Sequence, residues 1–396
     1  MFLEIMFFIL LGVFAGVIFG LIPGLHPNTV VLLTPLLASY IQSPPYLIAF
    51  LVALGVSNVF VDFIPSIILG SPDPEKELTV LPGHKFLLAG KGYGAIKLCV
   101  LGGVGSLIVC AVLLPLLIIS IPNAYSLLGS YIWMILLFVV MFIILNEKEN
   151  EKIFLGFFCF ILSGIIGLMI SDLPVNPVFT LFPVLSGFFG LSVIIINLKK
   201  RIEMPKQQFD DIEISGKTRN MSVVSGTLGG IFSGFLPGIG SSQIASLASA
   251  DKNEKSFLVT MGSITVSNMI LSLLSLWLIN KSRSGIAVAI DELLSVGFNE
   301  FLLIFSVALV VVGLSAIITL HLSRIFLAIV EKIDYYKINI AVASAILFLT
   351  FITSGFYGTL LLIMCTSLGI FANLSGVKRG LLMGVLIIPT ILFFIG

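Results

Sequence analysis

After Glu4 the chain runs through residues 5–61 without a single Asp, Glu, Lys or Arg, a stretch of 57 residues. Eight more such runs follow, at residues 98–146, 153–171, 173–198, 220–250, 256–280, 301–323, 338–377 and 380–396. Together the nine runs hold 287 of the 396 residues. No compact core hides that much apolar chain from water, so lipid is the main solvent. At roughly 20 residues per crossing the runs have room for about 12 helical spans. A transmembrane barrel would alternate apolar and polar residues over segments of about 10 residues, and runs such as Leu302-Leu303-Ile304-Phe305 do not alternate. The expected fold is an all-α polytopic membrane protein.

Composition narrows the function classes. Charged residues make up 10% of the chain, against about 25% in soluble domains. A net charge of +1 without a basic cluster gives no pull on nucleic acid. Cys99, Cys110, Cys159 and Cys365 sit in apolar runs without Cys-x-x-Cys spacing and read as buried thiols, not as a metal or redox site. The N-terminus lacks a basic n-region and a small-residue cleavage site, so its first helix is expected to stay.

Residues 199–220 carry six Lys or Arg and divide the chain into a first membrane repeat, 1–198, and a second, 221–396. The linker reads as a solvated cytoplasmic loop, because basic residues beside membrane spans favour the inside. The multi-pass chain is expected in the cell membrane.

The halves resemble each other. At a constant offset of 214, Gly12, Gly16, Gly20, Pro23 and Gly24 fall on Gly226, Gly230, Gly234, Pro237 and Gly238. Phe50-Leu51-Val52 also pairs with Phe257-Leu258-Val259, and Ser57-Asn58 with Ser267-Asn268 slightly farther on. Glycines four apart form a smooth stripe on which a second helix can pack closely in lipid. Pro-Gly then stops the helix, and Pro27-Asn28-Thr29 and Ser241-Ser242-Gln243 are helix-start signals. The expectation is two repeats, each with a Pro-Gly-broken or re-entrant helix; the residues leave their parity open, and inversion is what the secondary-transporter pattern implies.

Paired broken helices at matching positions point to a secondary-transporter site near the bilayer midplane. Helix N-termini there offer free N–H groups and partial positive charge to an anion. A plain kink with packing glycines is the bland alternative.

At these residues the chain resembles the tripartite tricarboxylate transporter permease family, TctA, which carries a Pro-Gly-x-Gly type motif in each half. Gly20 to Pro27 and Gly234 to Gly240 are similar to the two copies, with His26 in place of the first motif's last glycine and Gly240 retaining the second. The resemblance implies ion-coupled uptake of small organic anions such as di- and tricarboxylates, together with a small membrane subunit and an extracytoplasmic solute-binding protein.

The substrate-binding candidates are therefore Pro23, Gly24, His26, Asn28, Thr29, Pro237, Gly238, Gly240, Ser241 and Ser242. His26 can donate to a carboxylate, or it can merely cap backbone. Asn58, Asp62 and Asn268 are candidates for a coupling Na⁺ or H⁺. Hydration near an interface competes for Asp62, and an interhelical hydrogen bond for the asparagines. His84 lies in a polar stretch that reads as a gate, a partner-binding loop or a plain connection. Lys97 reads as an interfacial cation more readily than a substrate counter-charge, and His321 and Arg324 as interfacial anchors. Neither a resident cofactor nor a metal is expected. A lipid-phosphate translocator could use the same N–H clusters. An intramembrane enzyme is the weakest alternative, because HExxH, GxSxG and a Walker loop are all absent.

Overall fold

The computed structural model describes residues 2–22, 34–68, 80–145, 147, 149–170, 172–175, 177–198, 204–234, 244–245, 248–249, 253–332 and 335–395. Among them every regular element is helical: α1 (Phe2–Leu21), α2 (Thr34–Tyr40), α3 (Pro44–Val61), α4 (Phe63–Ile68), α5 (Val80–Leu88), α6 (Gly92–Leu128), α7 (Ile132–Leu145), α8 (Asn150–Ile170), α9 (Pro177–Leu185), α10 (Ser192–Leu198), α11 (Gly216–Ser233), α12 (Glu254–Ile279), α13 (Gly285–Asp291), α14 (Phe298–Val330), α15 (Tyr335–Leu374) and α16 (Gly384–Ile395). The chain is a polytopic helical membrane protein.

Eight helical segments among the described residues are long and apolar enough to cross a membrane, and residues Arg379–Ile395 form a shorter apolar one. The expectation of about 12 came from dividing apolar length into 20-residue units, and the chain does not divide itself so evenly. Gly92–Leu145 is one 54-residue helical stretch, about 80 Å at 1.5 Å per residue and more than twice a hydrocarbon thickness of about 30 Å. Conversely α2, α4, α5 and α13 are apolar helices of nine residues or fewer.

Local sequence sets the helix ends. Ser215 accepts from the Thr218 N–H (3.1 Å) at the start of α11, and Asn253 from the Ser256 N–H (2.7 Å) at the start of α12. Asn280 closes α12 in the left-handed region, φ 49°, which asparagine tolerates better than most residues.

α3 and α12 are the innermost helices, with almost every residue buried. Each receives a glycine stripe. Methyl groups added to Gly12 and Gly20 of α1 would stand 2.9 Å from the Cβ atoms of Ala53 and Val61, and one on Gly16 would overlap the Ser57 hydroxyl. On α11, a methyl group on Gly226 would stand 2.6 Å from Ser263 Cβ, and those on Gly230 and Gly234 would overlap Ser267 and Leu271. In both pairs rising numbers meet rising numbers, so α1 runs parallel to α3 and α11 parallel to α12. The packed register pairs Ser57 with Ser267 and Asn58 with Asn268, which leaves the Phe50 and Phe257 runs three residues out of step. Those two runs match in letters and differ in environment: Gly55 faces Met269 and Ile286, while Gly262 lies on the Cys99 backbone of α6.

The two pairs run in opposite directions. Gly55 meets Met269, whereas Phe60 and Val266 meet each other's level across Gly103 of α6. Numbers that rise along α3 therefore fall along α12.

The described part of the linker, residues 204–215, is an extended strap, and it is not simply solvated. Gln207 is buried. Its side chain accepts from the Gly92 N–H (3.0 Å) and donates to the Leu87 carbonyl (2.9 Å), while its own N–H donates to the Glu331 carboxylate. Gln208 N–H donates to the Gly90 carbonyl (2.6 Å). Asp211 pairs with Lys97, and the Glu213 carbonyl accepts from Lys255 (2.8 Å). The strap thus ties α5 and α6 of the first half to α12 and α14 of the second. A second cluster, formed by α7, α8, α15 and α16, flanks this bundle.

Candidate functional site

All ten substrate-binding candidates, Pro23 to Thr29 and Pro237 to Ser242, lie outside the described residues. The frame around them is described. α1 ends at Leu21 and α11 at Ser233, each just before its Pro-Gly pair. By Ile244 the chain has doubled back, because the Ile244 side chain lies 2.8 Å from where a Gly229 Cβ would stand. Ser249 then donates to Ser256 (3.4 Å), which itself shares a hydrogen bond with Ser222 (2.7 Å), near the start of α11.

Asn58 and Asn268, the two asparagines read as ion-coupling candidates, stand beside these helix ends. Gly20, in the last turn of α1, packs on the Asn58 carbonyl and Val61, and Gly234, at the end of α11, packs on Leu271 and the Asn268 side chain. The antiparallel crossing of α3 and α12 brings Asn58 and Asn268 to one height. Two helix ends of opposite direction thus stop at the same depth, each against an asparagine.

Asn58 is 5% exposed, and its Nδ2 has no hydrogen-bond partner among the described residues. An unsatisfied buried amide costs about 1–3 kcal/mol, so this donor is a strained feature of the apolar interior. Ser57, beside it, is not available in the same way, because its hydroxyl donates to the Ala53 carbonyl (2.6 Å) as Ser267 does to Ser263 (2.7 Å). Asp62 lies one turn beyond Asn58, half-buried between α3 and the fully buried α4, and accepts from Ser66 Oγ at 3.4 Å. That position is inside the long apolar segment Pro44–Ile68. Among the described residues no three His, Cys, Asp or Glu side chains gather as a metal site would need.

Arg283 is not among the candidates read from the sequence. After α12 ends at Ile279 the loop turns back inward: Ser272 donates to Ser284 (2.8 Å), and Ile286 of α13 packs on Gly55 of α3. Arg283, half-buried, donates to the Gly234 carbonyl at the end of α11, with its guanidinium carbon 5.7 Å from the Tyr125 ring centre. The available signal was a serine N-cap followed by five apolar residues too few to span, Ser284 then residues 286–290.

The remaining candidates are accounted for around the strap. Lys97 pairs with Asp211 and not with the asparagines. Arg324 donates to the Tyr93 hydroxyl (3.1 Å) and lies 4.9 Å over its ring, while His321 is exposed. His84, on α5, has Nδ1 3.5 Å from the Ile67 carbonyl, and burial pushes its imidazole below the ordinary range.

Comparison with known proteins identifies the family. The model of the tripartite tricarboxylate transporter TctA family matches residues 6–384. An uncharacterized protein of Methanocaldococcus jannaschii is 33% identical over 402 residues, covering 98% of this chain and 99% of its own length. No solved structure matches. With its family signature running across both glycine-striped helix pairs and the strap between them, the chain belongs to the tripartite tricarboxylate transporter TctA family, a family of permease-type membrane proteins.

Proposed function

We propose that this protein is a secondary-active permease for small organic anions such as di- and tricarboxylates, coupled to Na⁺ or H⁺ and working by alternating access around the two motif segments. One observation carries the reading: the ends of two helices that run in opposite directions stop at the same depth beside Asn58 and Asn268. Such an arrangement is what an inverted repeat would produce, and it supports a reading in which both motifs serve one shared site near the midplane. Pro23, Gly24, His26, Asn28 and Thr29, with Pro237, Gly238, Gly240, Ser241 and Ser242, would bind the anion through backbone N–H groups and short polar side chains. Asn58, Asp62 and Asn268 would serve the coupling ion. A small membrane subunit and an extracytoplasmic solute-binding protein would complete the system in the cell membrane.

The test is uptake by purified protein in liposomes. Labelled citrate or succinate should accumulate under an imposed Na⁺ or H⁺ gradient, and Gly24→Val or Gly238→Val should abolish accumulation while expression persists. Vesicles that take up neither compound under either gradient, with or without an added binding protein, would refute the reading.

A further inference from the structure

We infer that the buried hydroxyls of Ser315 and Thr319 on α14, together with the Val61 carbonyl of α3, hold a Na⁺ ion where α14 packs against the junction of α3 and α4. The use made of the ion rests on the transport reading above; the site itself stands on packing and hydrogen bonding.

Buried serines and threonines in this bundle as a rule donate to a carbonyl three or four residues back. Ser263 donates to Val259 (2.9 Å), Thr265 to Met261 (2.9 Å), Ser275 to Leu271 (2.9 Å) and Ser323, farther along α14 itself, to Leu320 (2.9 Å). Ser315 and Thr319 do not. Both are 0% exposed, and neither hydroxyl has a hydrogen-bond partner among the described residues. Four residues apart, they share one face of α14, on the buried stripe that includes Phe301, Ala308 and Val312. Two unsatisfied hydroxyls side by side in an apolar interior are costly unless a polar guest meets them.

Helix register sets what stands at their depth. Along the antiparallel α3 and α12, Gly55 meets Met269 and Phe60 comes level with Val266, so Trp277 stands near the level of Ile48. Trp277 stacks on Phe301 in the first turn of α14, ring centres 4.6 Å apart. α14 packs on both α3 and α4, and its last turns reach Gly92 of α6 through Leu327. With the same rise per residue in each helix, Ser315 falls level with Asp62 at the α3–α4 junction and Thr319 level with α4.

At that junction the backbone ladder has a gap. The Asp62 N–H donates to the Asn58 carbonyl (2.9 Å) and the Ser66 N–H to the Asp62 carbonyl (3.2 Å). The donor that would serve the Val61 carbonyl belongs to position 65, a proline, which has no N–H. Val61 is buried, so its carbonyl also wants a partner inside the protein. A carbonyl freed by a helix break and two hydroxyls from a neighbouring helix are neutral oxygen ligands, the kind that suits a hard cation at membrane depth. Such a set has no group that takes up a proton, which selects Na⁺ over H⁺. Asp62 brings negative charge close by; it has partners of its own, Ser66 among them, and is not counted among the ligands. With so little charge to neutralise it, the guest is monovalent.

Binding is read on the purified full chain in detergent, as the thermal unfolding midpoint titrated with NaCl against choline chloride at constant ionic strength. Na⁺ should raise the midpoint saturably, and choline should not. In Ser315→Ala and in Thr319→Val the Na⁺ concentration giving half the effect should rise about tenfold or more, the loss of one oxygen ligand to a charge. Thr319→Ser, which keeps the oxygen, should stay within about threefold of wild type, and Ser323→Ala should titrate as wild type. Equilibrium binding of radiolabelled Na⁺ to the wild-type chain, displaced by unlabelled Na⁺ and not by choline, needs no variant. Absence of saturable Na⁺ binding overturns the site. So does an unchanged Na⁺ titration in both Ser315→Ala and Thr319→Val, which would leave the two hydroxyls as packing groups. Na⁺ binding that persists in a protein without gradient-driven uptake would uphold the site and refute the transport reading alone.

Discussion

The backbone of Gly16 passes so close to Ser57 that a methyl group on the glycine would occupy the space of the serine hydroxyl. The hydroxyl cannot simply swing away, because it donates to the Ala53 carbonyl of its own helix. Gly230 and Ser267 repeat the relationship on the other pair, with Ser267 donating to Ser263. Gly16→Ala and Gly230→Ala should each destabilise the protein by about 1–3 kcal/mol through overpacking. Gly313, on a face of α14 with open space around it, is the control: Gly313→Ala should leave thermal unfolding in detergent unchanged or slightly raised. Equal effects at all three positions would mean that the stripes do not set the helix spacing.

These stripes were legible because close approach in lipid demands glycine at helical spacing, and so was the ending of α1 and α11 before Pro23 and Pro237. The pairing of Asn58 with Asn268 was legible too. The match of Phe50 with Phe257 misled, since apolar letters recur by chance in a chain this hydrophobic. Arg283 was hidden because an apolar-run count treats every charged connection as surface, and only the Ser272–Ser284 bond shows that this one returns inward. Gln207 was hidden for the mirror reason: it stands in a charged linker, and nothing in Lys206-Gln207-Gln208 announces that the middle residue would be buried. The break at Gly355, φ 60° within α15, carried no Pro-Gly signature and was likewise unreadable.

The strap makes its own prediction. Gln207→Ala would leave the Gly92 N–H without its acceptor, a loss of about 1–3 kcal/mol for that buried group, and would leave the Leu87 carbonyl with only the Gly90 N–H as donor. Gly90→Ala should act in the same direction, because Gly90 sits at φ +74° and an added Cβ would meet the Lys206 carbonyl at 2.7 Å. Lys97→Met, which breaks an exposed ion pair with Asp211, should shift stability by no more than about 1 kcal/mol. Trypsin cleavage at Lys206 and Lys217 reads all three. Faster cleavage in the first two variants and not in the third is expected, and uniform resistance would show the strap to be held by something other than Gln207.

His84 gives the protein an acid-sensitive point on α5, outside the eight candidate spans. Burial lowers its imidazole from the ordinary value of 6.5 in the folded chain. Between the folded and unfolded titrations the unfolded chain holds the extra proton, so stability rises with pH there. The contribution is complete above about pH 6.5 and declines as pH falls below it. His84→Gln should flatten that acid limb while changing little at pH 8, as measured by thermal unfolding across the range. An acid limb of unchanged slope in the variant would assign it to other groups.

Asn58 offers a test in which stability and activity move in opposite directions. Its buried Nδ2 lacks a hydrogen-bond partner among the described residues, and removing an unsatisfied buried donor by an apolar group of similar size relieves about 1–3 kcal/mol. Asn58→Leu should therefore leave thermal stability equal or higher. If that amide is held in reserve for cargo or coupling ion, as strained polar groups at functional sites are, the same variant should lose gradient-driven uptake of labelled citrate or succinate. Asn268→Leu should lose uptake as well, with a smaller gain in stability, because Asn268 is only half-buried. A destabilised Asn58→Leu that still transports would place the amide in an ordinary structural hydrogen bond, and the functional weight of this level of the bundle would then rest on the two motif segments.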